Sequence, residues 1–229
     1  MSSVPVGPLP PQGAVAGTLG GYRAARFTPM AKRAMDIAIA SLALIAAAPF
    51  FLIVSLMVRA DGGPAFYAHP RVGRGGRIFG CLKFRSMVVD SQARLDALLA
   101  ADPAARAEWE ATRKLKNDPR ITRIGRFLRA TSLDELPQLI NVLRGEMAIV
   151  GPRPVTLTEL DCYYGAAAAH YLTVRPGITG LWQVSGRSET SYDQRVALDV
   201  AYVSQPSLLA DMRILIKTPV AVLSRRGAH

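Results

Sequence analysis

Two adjacent acids, Asp134 and Glu135, lie in the run Ser132-Leu133-Asp134-Glu135-Leu136-Pro137, with Arg129 just upstream. From Arg113 to Arg129 there are seven Lys/Arg and one acid, Asp118. An anionic pair in a cationic setting suits chemistry on a phosphate. An ionised aspartate attacks phosphorus to form an acyl phosphate, and a neighbouring carboxylate holds Mg²⁺ against phosphate oxygens. The same spacing fits a structural device. Ser132 and Glu135 match a capping box, in which hydroxyl and carboxylate satisfy backbone amides at a helix start. With Ser132 as cap, Pro137 falls at the fifth helical position, where its missing N–H loses a bond; with Asp134 as cap it falls at the third, where none is lost. In either register the pair sits at the positive end of a helix dipole, which with the arginines predicts lowered pKa values and ionised carboxylates. Taken locally, a cap is the commoner use of such a pattern.

The cations that could bind the phosphate are Lys83 and Arg85 in Lys83-Phe84-Arg85-Ser86-Met87, Arg129, Arg153 between Pro152 and Pro154, and Arg175 before Pro176. A residue before proline is pushed to extended backbone, so Arg153 and Arg175 start preorganised. Guanidinium forks match phosphate oxygens. For any single arginine, a solvated surface charge is the simpler reading.

The elements that must hold these residues are legible in part. Residues 1–29 are rich in Pro, Gly, Ala and Ser and read as a flexible tail. Lys32 and Arg33 precede an uncharged run from Ile37 to Val58, and Arg59 ends it. As a helix this run is roughly 33 Å long, enough to cross a bilayer core. Pro49, inside it, predicts a kink or break. Basic residues flank both ends, and positive flanks favour the cytoplasmic side. A re-entrant helix bent at Pro49 satisfies both flanks; a kinked spanning helix is the alternative. Residues 65–68 and 78–84 read as strands of a hairpin turning at Gly73, Gly75 and Gly76. Residues 88–112 read as solvated helix broken at Asp102-Pro103. Asp118-Pro119 reads as cap and first turn of a helix running to Arg129, and a second helix from Leu136 to Arg144 ends near Gly145. Residues 192–223 read as helices on a membrane surface.

Composition bounds the function. With 229 residues, the chain has length for a real core. A net charge of +11 points to a polyanionic partner, and a hydrophobic content of 50% favours a membrane setting. Cys81 and Cys162 have no metal-ligand spacing and read as free thiols of a reducing compartment. A membrane-anchored nucleic-acid module fits the charge, but lacks the strands of interleaved aromatic and basic residues that stack bases. A non-catalytic scaffold docked on anionic lipid, with Asp134 only a cap, is the other rival.

Five segments in order resemble the bacterial sugar transferase family, the monotopic phosphoglycosyl transferases. They are Lys32-Arg33-Ala34-Met35-Asp36; Lys83-Phe84-Arg85-Ser86-Met87; residues 131–139 around the acid pair; Val150-Gly151-Pro152-Arg153-Pro154; and residues 175–187, from Arg175-Pro176-Gly177 to Ser185-Gly186-Arg187. They cover residues 31–226 and are most similar to the short, exopolysaccharide-initiating branch. The resemblance implies transfer of hexose 1-phosphate, galactose or glucose, from a UDP-hexose to undecaprenyl phosphate, with release of UMP. Asp134 and Glu135 would be the catalytic dyad, Asp134 as nucleophile carrying a phosphosugar and Glu135 binding Mg²⁺. Lys83, Arg85, Arg129, Arg153, Arg175 and Arg187 would bind substrate. It also implies a re-entrant membrane helix broken at Pro49, although Ala48 stands where the family commonly has serine. Gly145-Glu146-Met147 carries glutamate where aspartate is frequent.

The resulting expectation is a mixed α/β, mostly helical enzyme. It has a tail over 1–29, a re-entrant membrane helix over 30–60 and a catalytic domain over 61–229, with a small β-hairpin and membrane-surface helices. It sits on the cytoplasmic face of the bacterial inner membrane, with UDP-hexose, undecaprenyl phosphate and membrane lipid as partners and no nucleic acid. Oligomeric state is open, a homodimer included.

Overall fold

A long apolar stretch in lipid satisfies its backbone only by bonding within itself. The run after Asp36 does so in helix α1, Pro29–Arg59, in a computed structural model that describes residues 29–112, 114–186 and 190–223. Residues 1–28 of the expected tail lie outside the described residues. Helix α1 is long and apolar enough to cross a membrane. It leaves Leu42, Ile45, Leu52, Leu56 and Met57 more than half exposed, far more apolar surface than a water-facing helix carries. The interruption expected at Pro49 is not there. The helix runs through the proline as one element, because one lost backbone bond does not end a helix whose neighbours keep theirs.

Strands β1, Phe66–Val72, and β2, Ile78–Phe84, form the predicted hairpin. Gly73 N–H bonds Arg77 O at the turn, and Arg85 N–H bonds Ala65 O at the open end. Gly75 and Gly76 take φ of 68° and 79°, a region that favours residues without a Cβ. Helices α2, Ser91–Ala101, and α3, Pro103–Thr112, meet at Asp102 as expected. Helix α4, Arg123–Thr131, starts later than the sequence predicts. Asp118 does not cap it. Asp118 accepts from the backbone and guanidinium of Arg120, and the cap is Thr122, which accepts from Gly125 N–H. Then come a 3-10 turn, Leu133–Glu135, helix α5, Gln138–Arg144, and strand β3, Ala148–Val150. Short helical turns fill 157–171. Strand β4, Gly177–Thr179, pairs parallel to β3, with Ala148 opposite Gly177 and Val150 opposite Thr179. A Cβ on Gly177 would lie 2.1 Å from Gly151 N, so the strands meet only because that position is glycine. Helices α6, Leu181–Ser185, α7, Tyr192–Ser204, and α8, Leu208–Leu223, follow. The result is mostly helical with two small sheets.

The chain divides into two units. One takes the segments through Ala46, Ala68–Leu82 and from Gln138 onward; the other takes Ala47–Tyr67 and Lys83–Pro137. The first unit has a core of Val72, Val155, Leu160, Tyr164, Ala167, Tyr171 and Val196. Its buried hydroxyls are matched: Tyr171 donates to Val72 O and Tyr164 to Asp199, both at 2.8 Å. Burial pushes the Asp199 carboxyl up to about 7. The start of α1 is tied into this unit by the Lys32–Asp36 segment. Lys32 pairs with fully buried Asp211 at 2.7 Å, Asp36 accepts from Ile149 N–H, and Arg33 donates to Val142 O and Leu143 O at the end of α5. Helix α8 leaves Leu209, Met212, Ile216 and Val220 exposed. Neither Cys81 nor Cys162 forms a disulfide.

The second unit packs Val54, Val58, Phe84 and Leu128 together with Phe50, Phe51, Ile124, Leu133 and Leu136 around them. The Phe84 ring lies 5.1 Å from Phe51 and 5.3 Å from Phe66. Gly125 is a contact glycine: a Cβ there would come within 2.0 Å of Ser86 O.

Strand β2 is stitched by one side chain that is fully buried. Asn141 on α5 accepts from Leu82 N–H at 2.9 Å and donates to Gly80 O at 2.8 Å and to Glu146 at 2.6 Å. Leucine in its place strands a backbone donor and acceptor, each worth about 1–3 kcal/mol. Asn141→Leu is therefore expected to lower stability by about 2–5 kcal/mol, measured by denaturation of the detergent-solubilised protein; a change under about 1 kcal/mol would refute the stitch.

Candidate active site

Alternation along β2 buries Phe84 at 1% exposure and sends Lys83 to the opposite face. There the Lys83 ammonium donates to Glu135 Oε1 at 2.6 Å and lies 3.7 Å from Asp134 Oδ2. The two acids ride on the 3-10 turn after α4. Ser132 sets that turn. It adopts φ 57° and ψ 15°, closes α4 through its own N–H to Leu128 O and Arg129 O, and caps nothing with its side chain. The capping box read from Ser132 and Glu135 is thus not formed, and Asp134 is not a helix cap either. Among the described residues Ser132 is the non-glycine residue with positive φ, a conformation that strains the backbone next to the acid pair.

Asp134 is 8% exposed and Glu135 more open. Burial pushes the Asp134 carboxyl above its usual value; Lys83 and Arg129 pull it down, and Glu135 adds to the rise. The sequence predicts the opposite direction, because dipole and arginines are visible in it and burial is not. Arg129 reaches back over α4, where its Nε donates to Ser86 Oγ at 2.8 Å. Burial lowers its pKa, and the charges of Asp134 and Asp118 oppose that.

Lys83, Asp134, Glu135 and Arg129 therefore form one charged cluster in the second unit. Arg85 belongs to the same unit but has other partners: Nη2 donates to Val58 O at 2.7 Å and to Asp61 Oδ1. Arg153 and Arg175 belong to the first unit. The Arg153 guanidinium lies 5.9 Å from the Trp182 ring, which Arg195 also faces at 4.8 Å. Arg175 Nε donates to Gly145 O at 2.6 Å; burial and the charges of Arg33 and Arg74 lower its pKa. Arg187 lies outside the described residues. Sequence reasoning missed Ser86 and Asp61 as partners of the arginines. The strand alternation of Lys83-Phe84-Arg85-Ser86 was the available signal for Ser86; for Asp61, 24 residues from Arg85, there was none.

The donor set fits a magnesium ion of one kind. No group of three His, Cys, Asp or Glu side chains converges among the described residues, so a closed protein cage is not offered. Mg²⁺ is commonly held by one or two carboxylates with substrate phosphates and water completing the shell, and Asp134 and Glu135 supply that much. The two carboxylates already face one cation in common, the Lys83 ammonium, at 2.6 Å from Glu135 and 3.7 Å from Asp134.

Comparison with known proteins gives this cluster its context. The pattern of the family described as bacterial sugar transferase matches residues 27–225. The chain is 57% identical over 198 residues to an uncharacterized sugar transferase of Haemophilus influenzae, covering 86% of this chain and 42% of that protein. It is 54% identical over 207 residues to an undecaprenyl-phosphate galactose phosphotransferase of Salmonella typhimurium, covering 90% and 43%. With exopolysaccharide production protein ExoY of Sinorhizobium fredii it shares 53% identity over 201 residues, 87% of this chain and 88% of that one. It thus spans less than half the length of the first two relatives and nearly nine tenths of the third. The acid pair, its lysine and the arginine behind it lie inside the matched region, and the chain belongs to the bacterial sugar transferase family.

Proposed function

We propose that this protein transfers hexose 1-phosphate from a UDP-hexose to undecaprenyl phosphate and releases UMP, the first membrane step of exopolysaccharide assembly. The observation that carries the reading is the buried Asp134 carboxylate beside Glu135 and Lys83 in a chain of this family. The name of the Salmonella relative favours galactose over glucose. Lys83, Arg85, Arg129, Arg153, Arg175 and Arg187 are the proposed substrate-binding cations, the last three on resemblance alone.

In this mechanism an Asp134 oxygen attacks the sugar-bearing β-phosphorus. The bond from that phosphorus to the oxygen bridging to the α-phosphate breaks, and UMP departs with the electron pair. An oxygen of the lipid phosphate then attacks the same phosphorus, the acyl-phosphate bond breaks, and the carboxylate returns. Lys83 neutralises the acid pair so that an anionic diphosphate approaches it, and Arg129, steadied by Ser86, offers its remaining donors to phosphate oxygens. Magnesium, held by Glu135 and substrate oxygens, would supply charge neutralisation of the diphosphate. Helix α1 is read as re-entrant, entering and leaving by the cytoplasmic face, because basic residues flank both ends. The exposed stripe of α8 lies on the same membrane surface.

Asp134→Asn removes the nucleophile and is expected to lower UMP release by about 10³-fold or more with folding intact. Near-normal release from a well-folded sample sinks the covalent route. The pH dependence follows from burial. Attack needs ionised Asp134, and its pKa is raised, so activity falls as pH drops through a value above the ordinary aspartate range. Lys83 is the strongest charge lowering that pKa; Lys83→Gln therefore moves the acid limb to higher pH. A single-turnover UMP-release profile measures this, and an acid limb that stays put or moves down contradicts it.

A further inference from the structure

Arg85 is 9% exposed, and its Nε and Nη1 donors, both shut from solvent, have no acceptor. Buried donors on a charged group are seldom left unmet in native proteins. The guanidinium lines a cleft of about 290 Å³ walled by Met57, Val58, Ala60, Met87 and Ile124, with Asp61 at its edge. Its one hydroxyl, on Thr122, is already engaged by Gly125 N–H. The lining therefore offers a buried cation, one carboxylate and an otherwise apolar wall containing two adaptable methionines. No aromatic ring or side-chain amide is there to read a nucleobase. An amphiphile with an anionic end fits; a nucleotide does not.

Two further features narrow the occupant. The cleft lies at the end of α1, whose apolar surface is uncovered. Arg85 also follows Lys83 by two residues and continues the β2 pairing, which puts the two about 7 Å apart along the strand. The cleft thus belongs to the same unit as the acid pair, two residues along the chain from the lysine that holds it, which suits an acceptor and is not required of a bulk phospholipid. Asp61, 37% exposed, is the anion that now holds Arg85 Nη2.

We propose that this cleft is the docking site for a lipid monophosphate, the acceptor class of the reaction proposed above, on which this inference rests. A lipid phosphate displaces Asp61 from the guanidinium, which turns its spare donors toward the phosphate oxygens. The first carbons of the lipid lie along Met57, Met87 and Ile124.

The test uses the full chain in phosphatidylcholine nanodiscs. A short-chain prenyl monophosphate is compared with the matching prenyl alcohol, phosphatidylglycerol and inorganic phosphate. Wild type is expected to bind the prenyl monophosphate about tenfold or more tighter than the alcohol. Arg85→Lys should lose most of that preference. Met57→Trp, at a half-exposed position, fills the cleft without touching the Arg85 bonds. It should raise the acceptor KM about tenfold while the burst of UMP released without acceptor stays unchanged. Unchanged binding and acceptor KM in Met57→Trp would overturn the site. Equal competition by phosphatidylglycerol or inorganic phosphate would overturn the acceptor assignment in favour of a general phosphate site. If wild type released no UMP, the transferase reading would fall, and the binding comparison would still decide the cleft.

Discussion

The charged cluster depends on one ammonium group. Asp134 and Glu135 are neighbours, and a pair of unscreened carboxylates about 4 Å apart repels by roughly 4 kcal/mol at an effective dielectric of 20. Lys83 removes that repulsion, but unevenly: it bonds Glu135 at 2.6 Å and stands 3.7 Å from Asp134. Glu135 is thus the better neutralised acid. Asp134, more buried, is left with a carboxyl above its ordinary pKa. An oxygen with less direct pairing and a higher basicity is the better nucleophile, provided the pH keeps it ionised. Burial and the lysine work against each other on the same group, and in the proposed mechanism that opposition would set its reactivity.

The lysine is in place because its strand is. A slip of one residue would turn Phe84 outward and Lys83 inward. Such a slip would break the contacts of Phe84 with Phe51 and Phe66 and the Asn141 bonds to Gly80 and Leu82. The turn bearing the acids is fixed in another way. Gly125 lets α4 settle directly on the backbone at Ser86, Leu128 anchors it in the aromatic core, and left-handed Ser132 ends it abruptly. Strain at that residue is tolerable because the helix and core around it are overdetermined.

The hairpin and the apolar helix were readable because their signals are local: glycines at a turn, alternation, and an uncharged run. The site was readable as a set of residue types, and less so as geometry. Ser132 and Glu135 had capping-box spacing, yet Ser132 closes the preceding helix instead, a choice made by Leu128 packing rather than by its own propensity. Asp118-Pro119 had the look of a helix start, yet Asp118 is held by Arg120 and the helix waits for Thr122. Pro49 predicted a break that the helix does not show. In each case a short pattern fits two structures, and distant contacts select one. Asn141 carried no signal at all, since its value lies in partners about 60 residues away.

The net charge of +11 invites a simple reading in which each cation awaits a polyanion. Several arginines instead serve the helix ends. Arg85 bonds Val58 O near the end of α1, Arg106 bonds Leu99 O in the last turn of α2, Arg33 bonds Val142 O and Leu143 O, and Arg175 bonds Gly145 O after α5. The last carbonyls of a helix have no partner within it and carry its negative dipole, so a guanidinium there both donates and neutralises. Arg71 and Arg120 are likewise matched to Glu159 and Asp118. Charge excess is thus a poor count of ligand contacts. What separates a spare cation from a structural one is whether donors remain after the protein's own acceptors are met: on Arg85 one nitrogen holds the helix end and two are unmet, which is why the lipid phosphate is proposed there.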